Sequence, residues 1–419
     1  MKRKNYWILF AILLLSLTSL SPSLDFTQRN SQNNNNNTSS PQSLDSPNKE
    51  TSDRPITISV QLSINEFNKL DLMNKRFVKE TGIQTLLSNI PEDSAYDEVV
   101  KSLAIGESPD VLLMESEWVK TLATKGYLLP VESYRKSTPE SNVLRSLLAS
   151  VEWNGYQWAT PFDMNPYVLV WQSKTLTEMG ITVTPSTNEE WVNLLNKQKE
   201  RKGKVLLGID SEQPYALATL IGGMGGNILQ PEDQHLAWIE QALPYMYLVN
   251  NINKQRAVQL FKNGDMLLNI SPYSDVMSSW MEGLWVDFPE HFYGGSPSFL
   301  QGRSFGVSSQ SSSIEQSSEW IAYMTSYSNQ KEWLNATNRL PSLSAIYENP
   351  ITDSFDISFR LDVFHELNNG EMDSEQLTNQ TLTDLSVYVN QLLTSKIKVS
   401  EFKEAMLGKG TDKDKVDKK

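Results

Sequence analysis

No cysteine occurs in the 419-residue chain, which excludes a disulfide framework, a thiolate metal site, a cysteine nucleophile and a lipid-modified cysteine. Histidine is nearly as scarce. His235, His291 and His365 are the full set of 3, and their wide spacing gives no local pattern for a zinc or histidine-based catalytic cluster. Basic charge is also short: Lys+Arg 37 against Asp+Glu 50 leaves a formal net charge of −13. A nucleic-acid or anionic-membrane partner needs a basic face to offset phosphate repulsion, so neither is expected. Beyond the N-terminal segment there is no second apolar run long enough to span a bilayer.

What is present begins with Lys2, Arg3 and Lys4, an apolar run over 7–15 and a softer stretch over 16–23. This is the layout of a secretory signal, cleaved or kept as an N-terminal anchor, and it predicts an exported protein at the extracellular face of the membrane or in the periplasm. Residues 24–54, which include the asparagine run 33–37, have almost nothing to bury and read as a disordered tether. At the other end, 408–419 reads as a charged, solvated tail.

Between them, Ile56, Thr57, Ile58, Ser59 and Val60 alternate as a β-strand, and Phe67, Leu70, Met73 and Phe77 follow at helical spacing up to Gly82. A short strand at 83–87 and a helix with Tyr96, Val99, Val100, Leu103 and Ala104 on one face come next. The run Val111, Leu112, Leu113, Met114 reads as a strand buried on both faces. A β-α-β-α-β order means a parallel α/β sheet with ligands received at the carboxyl ends of its strands. A second set follows, with strands at 167–171 and 205–209 and a helix at 188–199. A strand at 305–307, a helix at 314–326 and helices between 355 and 407 end the folded part and predict that the chain passes between lobes more than once.

Several segments, in order, resemble the extracellular solute-binding proteins of maltose-binding, sugar-binding type that serve ABC transporters. They are Pro109-Asp110-Val111-Leu112-Leu113-Met114, Gly126-Tyr127-Leu128-Leu129-Pro130-Val131, Trp153 through Phe162, Asn188-Glu189-Glu190-Trp191, and the most specific, Phe261 through Tyr273. The likeness runs over nearly all of 56–404. It implies an α/β, two-lobe periplasmic-binding-protein fold whose discontinuous lobes, 55–162 with 297–341 and 163–296 with 342–407, meet at a three-crossing hinge near 161–164, 294–299 and 340–343. The implied function is hinge closure on a small molecule, a mono- or oligosaccharide, for delivery to ABC permease membrane subunits. A monomer with no cofactor, no metal and no catalytic residue is expected.

By the same resemblance, Tyr273 stands where the family places a sugar-stacking aromatic, with Trp280 and Trp285 as substitutes, or it is a core ring. Gln213, Pro214 and Tyr215 stand in a loop whose family form offers an acid and a tyrosine to the sugar; here Gln213 replaces the acid, and Asn165 replaces another. Maltodextrin specificity is therefore not expected. Glu115, Ser116, Glu117 and Trp118, after the buried strand, are either first-lobe contacts or a plain helix start whose acids complement the helix dipole. Asp163 could accept ligand hydroxyls or fix the hinge, and Arg303 and Arg339 are ligand forks or structural ion pairs. The glycines of 222–226 lack the residues of a phosphate loop and read as a turn. Two alternatives stay open: a polyamine or other cation as ligand, and an anchored sensor or scaffold that has left transport.

Overall fold

The computed structural model describes residues 54–91, 95–135, 143–279, 283–288, 300–348 and 378–411. The N-terminal signal and tether and the crossing at 294–299 therefore lie outside the described residues, as do Trp280, His291 and His365. No helix among the described residues is long and apolar enough to cross a membrane.

The chain opens β1(Ile56–Val60), α1(Ile64–Thr81), β2(Thr85–Asn89), α2(Ala95–Ile105), β3(Val111–Glu115), α3(Ser116–Thr124) and α4(Arg145–Val151). Strands β1, β2 and β3 pair in parallel, as the alternation predicts. Ser63 caps α1 reciprocally: its Oγ accepts from the Glu66 N–H, and Glu66 Oε2 accepts from the Ser63 N–H at 3.0 Å. Ser63→Ala should therefore destabilise the fold by about 1 kcal/mol, read as a lower denaturation midpoint with an unchanged slope.

A small hairpin, β4(Glu152–Trp153) and β5(Tyr156–Gln157), turns on Asn154 and Gly155 at φ 52° and 76°, the left-handed geometry that Asn-Gly accommodates. The chain continues through β6(Thr160–Met164), β7(Tyr167–Gln172), α5(Asn188–Glu200), β8(Val205–Asp210), α6(Pro214–Gly223), α7(Asp233–Ala242), β9(Met246–Val249), α8(Lys254–Lys262), β10(Met266–Pro272), α9(Tyr273–Ser278) and β11(Leu284–Asp287). It ends with β12(Gly302–Val307), α10(Ile314–Met324), α11(Tyr327–Thr337), β13(Leu340–Pro341), α12(Asn379–Leu393) and α13(Val399–Thr411).

Two sheets result, a six-stranded one in the order β13-β6-β12-β3-β1-β2 and a five-stranded one in the order β11-β7-β10-β8-β9. Each has its own core. The first packs Phe162, Phe305, Trp320 and Trp333 against α1 and α10, and the second packs Trp171, Trp191 and Trp238 under α5, α6 and α7. The indole N–H groups of Trp171, Trp191 and Trp238 donate to Asp287, the Gly223 carbonyl and the Trp191 carbonyl, so these rings carry no buried polar debt.

Four details differ from the sequence reading. Residues 160–164 are a fully buried strand of the first sheet, and the chain reaches the second sheet only at Tyr167, so Asn165 and Pro166 are the connection. The expected helix 314–326 is two helices, because Ser326 starts α11 anew. Gly222 and Gly223 belong to α6 rather than to a turn. A Cβ on Gly223 would sit 2.6 Å from Leu169 Cδ1, so the absent side chain lets α6 lie close on β7. At the far end, α13 continues through Gly408 to Thr411 in what reads as tail, anchored by buried Phe402 and Met406.

Candidate functional site

Strand β3 delivers Glu115 to its carboxyl end, and α3 starts at once. The four residues there divide by direction. Ser116 Oγ meets Ser304 Oγ at 3.1 Å, and Trp118 packs edge-on against Tyr96 at 5.2 Å, so both belong to the interior of the first lobe. Glu117 turns instead toward the second lobe, where its Oε1 accepts the Tyr215 hydroxyl at 2.7 Å. Its Oε2 is buried and has no hydrogen-bond partner. Burial above all, then the neighbouring Glu115 charge, pushes the Glu117 carboxyl from 4.5 up to about 8, against the opposing pull of the Tyr215 hydrogen bond.

On the second lobe, Gln213 is the half-buried cap residue of α6 and makes no side-chain cap bond, and Pro214 occupies the first turn, where its missing N–H costs nothing. Tyr215 stacks on Tyr167 with centroids 6.2 Å apart and planes 10° from parallel. Burial, followed by the Glu117 charge, raises the Tyr215 hydroxyl well above its ordinary range, so it remains a proton donor. Tyr273 begins α9 beside this pair, its N–H donating to the Pro166 carbonyl at 2.9 Å. Its ring is only 1 % exposed and lies in the second-lobe core. Asn165 is committed to the same junction. Its amide donates to Ser274 Oγ and accepts the Ser274 N–H, both at 2.9 Å, which pins the α9 start to the chain between the sheets.

Asp163 and Arg303 do not face an open cleft. They pair across β6 and β12 in a buried network: Arg303 Nε donates to Asp163 Oδ1 at 2.9 Å, and Trp333 Nε1 donates to Asp163 Oδ2 at 2.7 Å. Arg339 Nε lies 3.0 Å from the same Oδ2. Glu66 completes the group from α1, its Oε1 3.0 Å from Arg303 Nη2. Burial alone would raise the Glu66 carboxyl, but the charges of Arg303 and Arg339 outweigh it and hold the group down at about 2. Such a network fixes strand β12 against β6 beside the passage between the sheets, the structural role for Arg303 and Arg339. Gln330 extends the tie by donating to the Phe162 carbonyl at 2.8 Å and accepting the Leu343 N–H at 3.1 Å.

The structure thus joins Glu117, with Glu115 two positions before it, to Tyr215 and the Tyr167 ring, sets Asn165 and Tyr273 into the neighbouring junction at Ser274 and Pro166, and holds Asp163 and Arg303 in the buried network between β6 and β12. Sequence reading had no signal for Tyr167, which looks like any strand residue. Glu66 did carry one, the Ser-x-x-Glu spacing of a helix start, but nothing in that pattern points to Arg303. A separate cavity of about 260 Å³ lies within the second lobe, bounded by Asp210, Lys254, Phe261, Asp275 and Leu284, with Tyr167 shared between it and the lobe interface. Among the described residues no group of three or more His, Asp or Glu side chains could hold a metal ion.

Comparison with known proteins gives the same fold. The GacH receptor of Streptomyces glaucescens GLA.O, whose structures were solved unliganded and with acarbose, superposes with a TM-score of 0.68 at 18 % identity over 86 % of this chain and 97 % of that one. The sugar-binding protein MalE of Xanthomonas citri gives 0.64 at 13 % identity over 84 % of this chain and 95 % of its own. In sequence, the spermidine/putrescine-binding periplasmic protein of Escherichia coli (strain K12) is 24 % identical over 186 residues, 43 % of this chain and 49 % of the relative. The chain thus spans about half the length of the curated relatives it matches. Residues 73–355 match the family described as bacterial extracellular solute-binding protein, and that is the family to which this chain belongs.

Proposed function

We propose that the chain is an extracytoplasmic receptor that binds a small organic solute, a saccharide, between its two lobes and presents it to the membrane subunits of an ABC-type importer. The carrying observation is the Glu117–Tyr215 hydrogen bond. It joins the carboxyl end of a parallel strand in one sheet to a helix start beyond the other, where open α/β sheets receive ligands. Around it, stacked tyrosine rings offer flat apolar faces and Glu117 and Gln213 offer planar polar groups, the combination that sugar rings require. Solved structures of like fold support the ligand class, since GacH was solved with acarbose and MalE3 of T. maritima with maltose. Closure is a rigid-body motion of the lobes about the connection at Asn165 and Pro166.

Isothermal titration of the chain with neutral mono- and oligosaccharides tests this, with small-angle scattering alongside. Binding near 1 μM, about −8 kcal/mol, with a change in radius of gyration on saturation is the expected result. Saccharides that give no heat at millimolar concentration, with scattering unchanged, would overturn the saccharide reading.

A further inference from the structure

We infer that the first lobe holds a second ligand site, a cavity beside the passages between the lobes that takes a small carboxylate with an apolar body. The cavity has a volume of about 310 Å³ and shares no lining residue with the Glu117–Tyr215 contact or with the cavity of the second lobe. Its space originates in the sequence of α10. Ser318, Ile321, Ala322 and the cap residue Thr325 stand at the i, i+3, i+4 and i+7 spacing of a packing face, yet three of the four are small. Further walls come from Thr160 and Pro161 at the start of β6 and from Ser342 and Leu343 just past β13, where again one side chain is large. Short side chains from all three segments leave room that a better-filled core would close. A dry cavity of about 150 Å³ holds a benzene molecule, so this one accommodates an apolar body of roughly twice that size.

Tyr134, Arg135 and Thr160 set the ligand class. Arg135 Nη2 approaches Thr160 Oγ1 at 3.5 Å. The Tyr134 hydroxyl is buried with Thr160 as its polar neighbour and closes no hydrogen bond of good geometry. Arg135 is half-buried, and among the described residues it has no carboxylate partner. A guanidinium without an acid beside an apolar cavity is answered by a carboxylate on an apolar body, whereas a neutral molecule fills the space and leaves the charge unmatched. Two walls also lead between the lobes. Strand β6 runs on to the connection at Asn165 and Pro166, and the chain after β13 runs to Ile346 and Tyr347 in the core of the second lobe. Ser342 Oγ ties the two by donating to the Pro161 carbonyl at 2.9 Å. A ligand seated against both favours one spacing of these segments, and so biases the arrangement of the lobes.

Equilibrium dialysis of the full chain at pH 7 against labelled octanoate, with octanol as its neutral twin, tests the site, beside the variants Arg135→Gln and Ala322→Trp. The formal net charge of −13 does not draw a carboxylate to the surface at large, so dependence on Arg135 reports this place. Octanoate should bind at one saturable site, roughly tenfold tighter than octanol, and Arg135→Gln should remove that advantage while octanol binding persists. Ala322 is exposed on α10, so a tryptophan there can be carried without disturbing the core, and it should block both probes. Scattering should show a changed radius of gyration when octanoate saturates the chain. Absence of octanoate binding at millimolar concentration, or binding untouched by Ala322→Trp in a variant with a normal unfolding transition, would overturn the site. Octanol bound as tightly as octanoate would overturn the ligand class, and octanoate binding with unchanged scattering would overturn the coupling to the lobes. None of these outcomes bears on the saccharide reading, which rests on other residues.

Discussion

Glu117→Gln raises the thermal midpoint of the unliganded chain, and raises it more at pH 8 than at pH 5. The unfolded chain carries Glu117 as an ordinary carboxyl, whereas in the fold its protonation point lies at about 8. The folded state therefore binds the extra proton between those limits, and stability falls as pH rises from roughly 4.5 through 8. A shift of that size corresponds to a few kcal/mol across the window, at about 1.4 kcal/mol per unit. Glutamine has no proton to lose and keeps an oxygen for the Tyr215 hydroxyl, so the loss with pH disappears along with the burial of a charge. Scanning calorimetry at pH 5, 7 and 8.5 checks this. A variant whose midpoint matches or falls below the wild type at every pH would mean that Glu117 is compensated in the folded chain. Gain of stability on neutralising a site residue is the usual mark of a group kept for binding.

Asp163→Ala has the opposite sign. Asp163 is 0 % exposed and takes the Arg303 guanidinium, the Trp333 indole N–H and the Arg339 guanidinium. Its removal leaves two arginines in a low-dielectric interior with Glu66 as their remaining carboxylate in that network. Breaking a buried pair in this way costs about 3–5 kcal/mol, which lowers the midpoint by roughly 6–10 °C. Urea denaturation at pH 7 measures it directly, and a loss under about 1 kcal/mol would show that the network does not hold the strands together. The same network sets an acid limit. Glu66 is depressed to about 2, so its contribution is complete above about pH 4.5 and is lost as pH falls toward 2, the reverse of the Glu117 limb. The combined contribution of these two groups is therefore greatest in weakly acidic solution.

Much of the architecture was legible because local pattern and burial agree. The alternating Ile56 to Val60 and the unbroken apolar run from Val111 declare strands, and Ser63, Glu66 and Gly82 mark both ends of α1. The first passage between the lobes misled for a definite reason. Pro161 looks like loop chemistry, yet it sits inside β6 where the pairing with β12 shifts register between Arg303 and Ser304, and that irregularity tolerates a residue with no N–H to give. The site was legible only by segment. Glu115 and Glu117 were visible as acids after a buried strand, but the helix that starts there turns Glu117 toward Tyr215 of the second lobe and Ser116 and Trp118 into the first, a distinction set by packing. Asn165 and Tyr273, read in the sequence as ligand contacts, are built into a junction, with amide bonds to Ser274 and a ring in the core. That junction joins residues 109 apart, and no local pattern records such a meeting.

The central strand β12 has a consequence for how the chain must be made. It lies between β3 and β6, and contacts along these seams, such as Ser116 to Ser304 and Asp163 to Arg303, span 188 and 140 residues. Synthesis from the N-terminus therefore exposes β1, β2, β3 and β6 long before the strand that joins them exists, and their open edges invite pairing with other chains. Contacts this distant also make for slow folding, because loop closure precedes any gain from the sheet. The first lobe can therefore complete its sheet only after residues 302–307 have been made, long after its other strands.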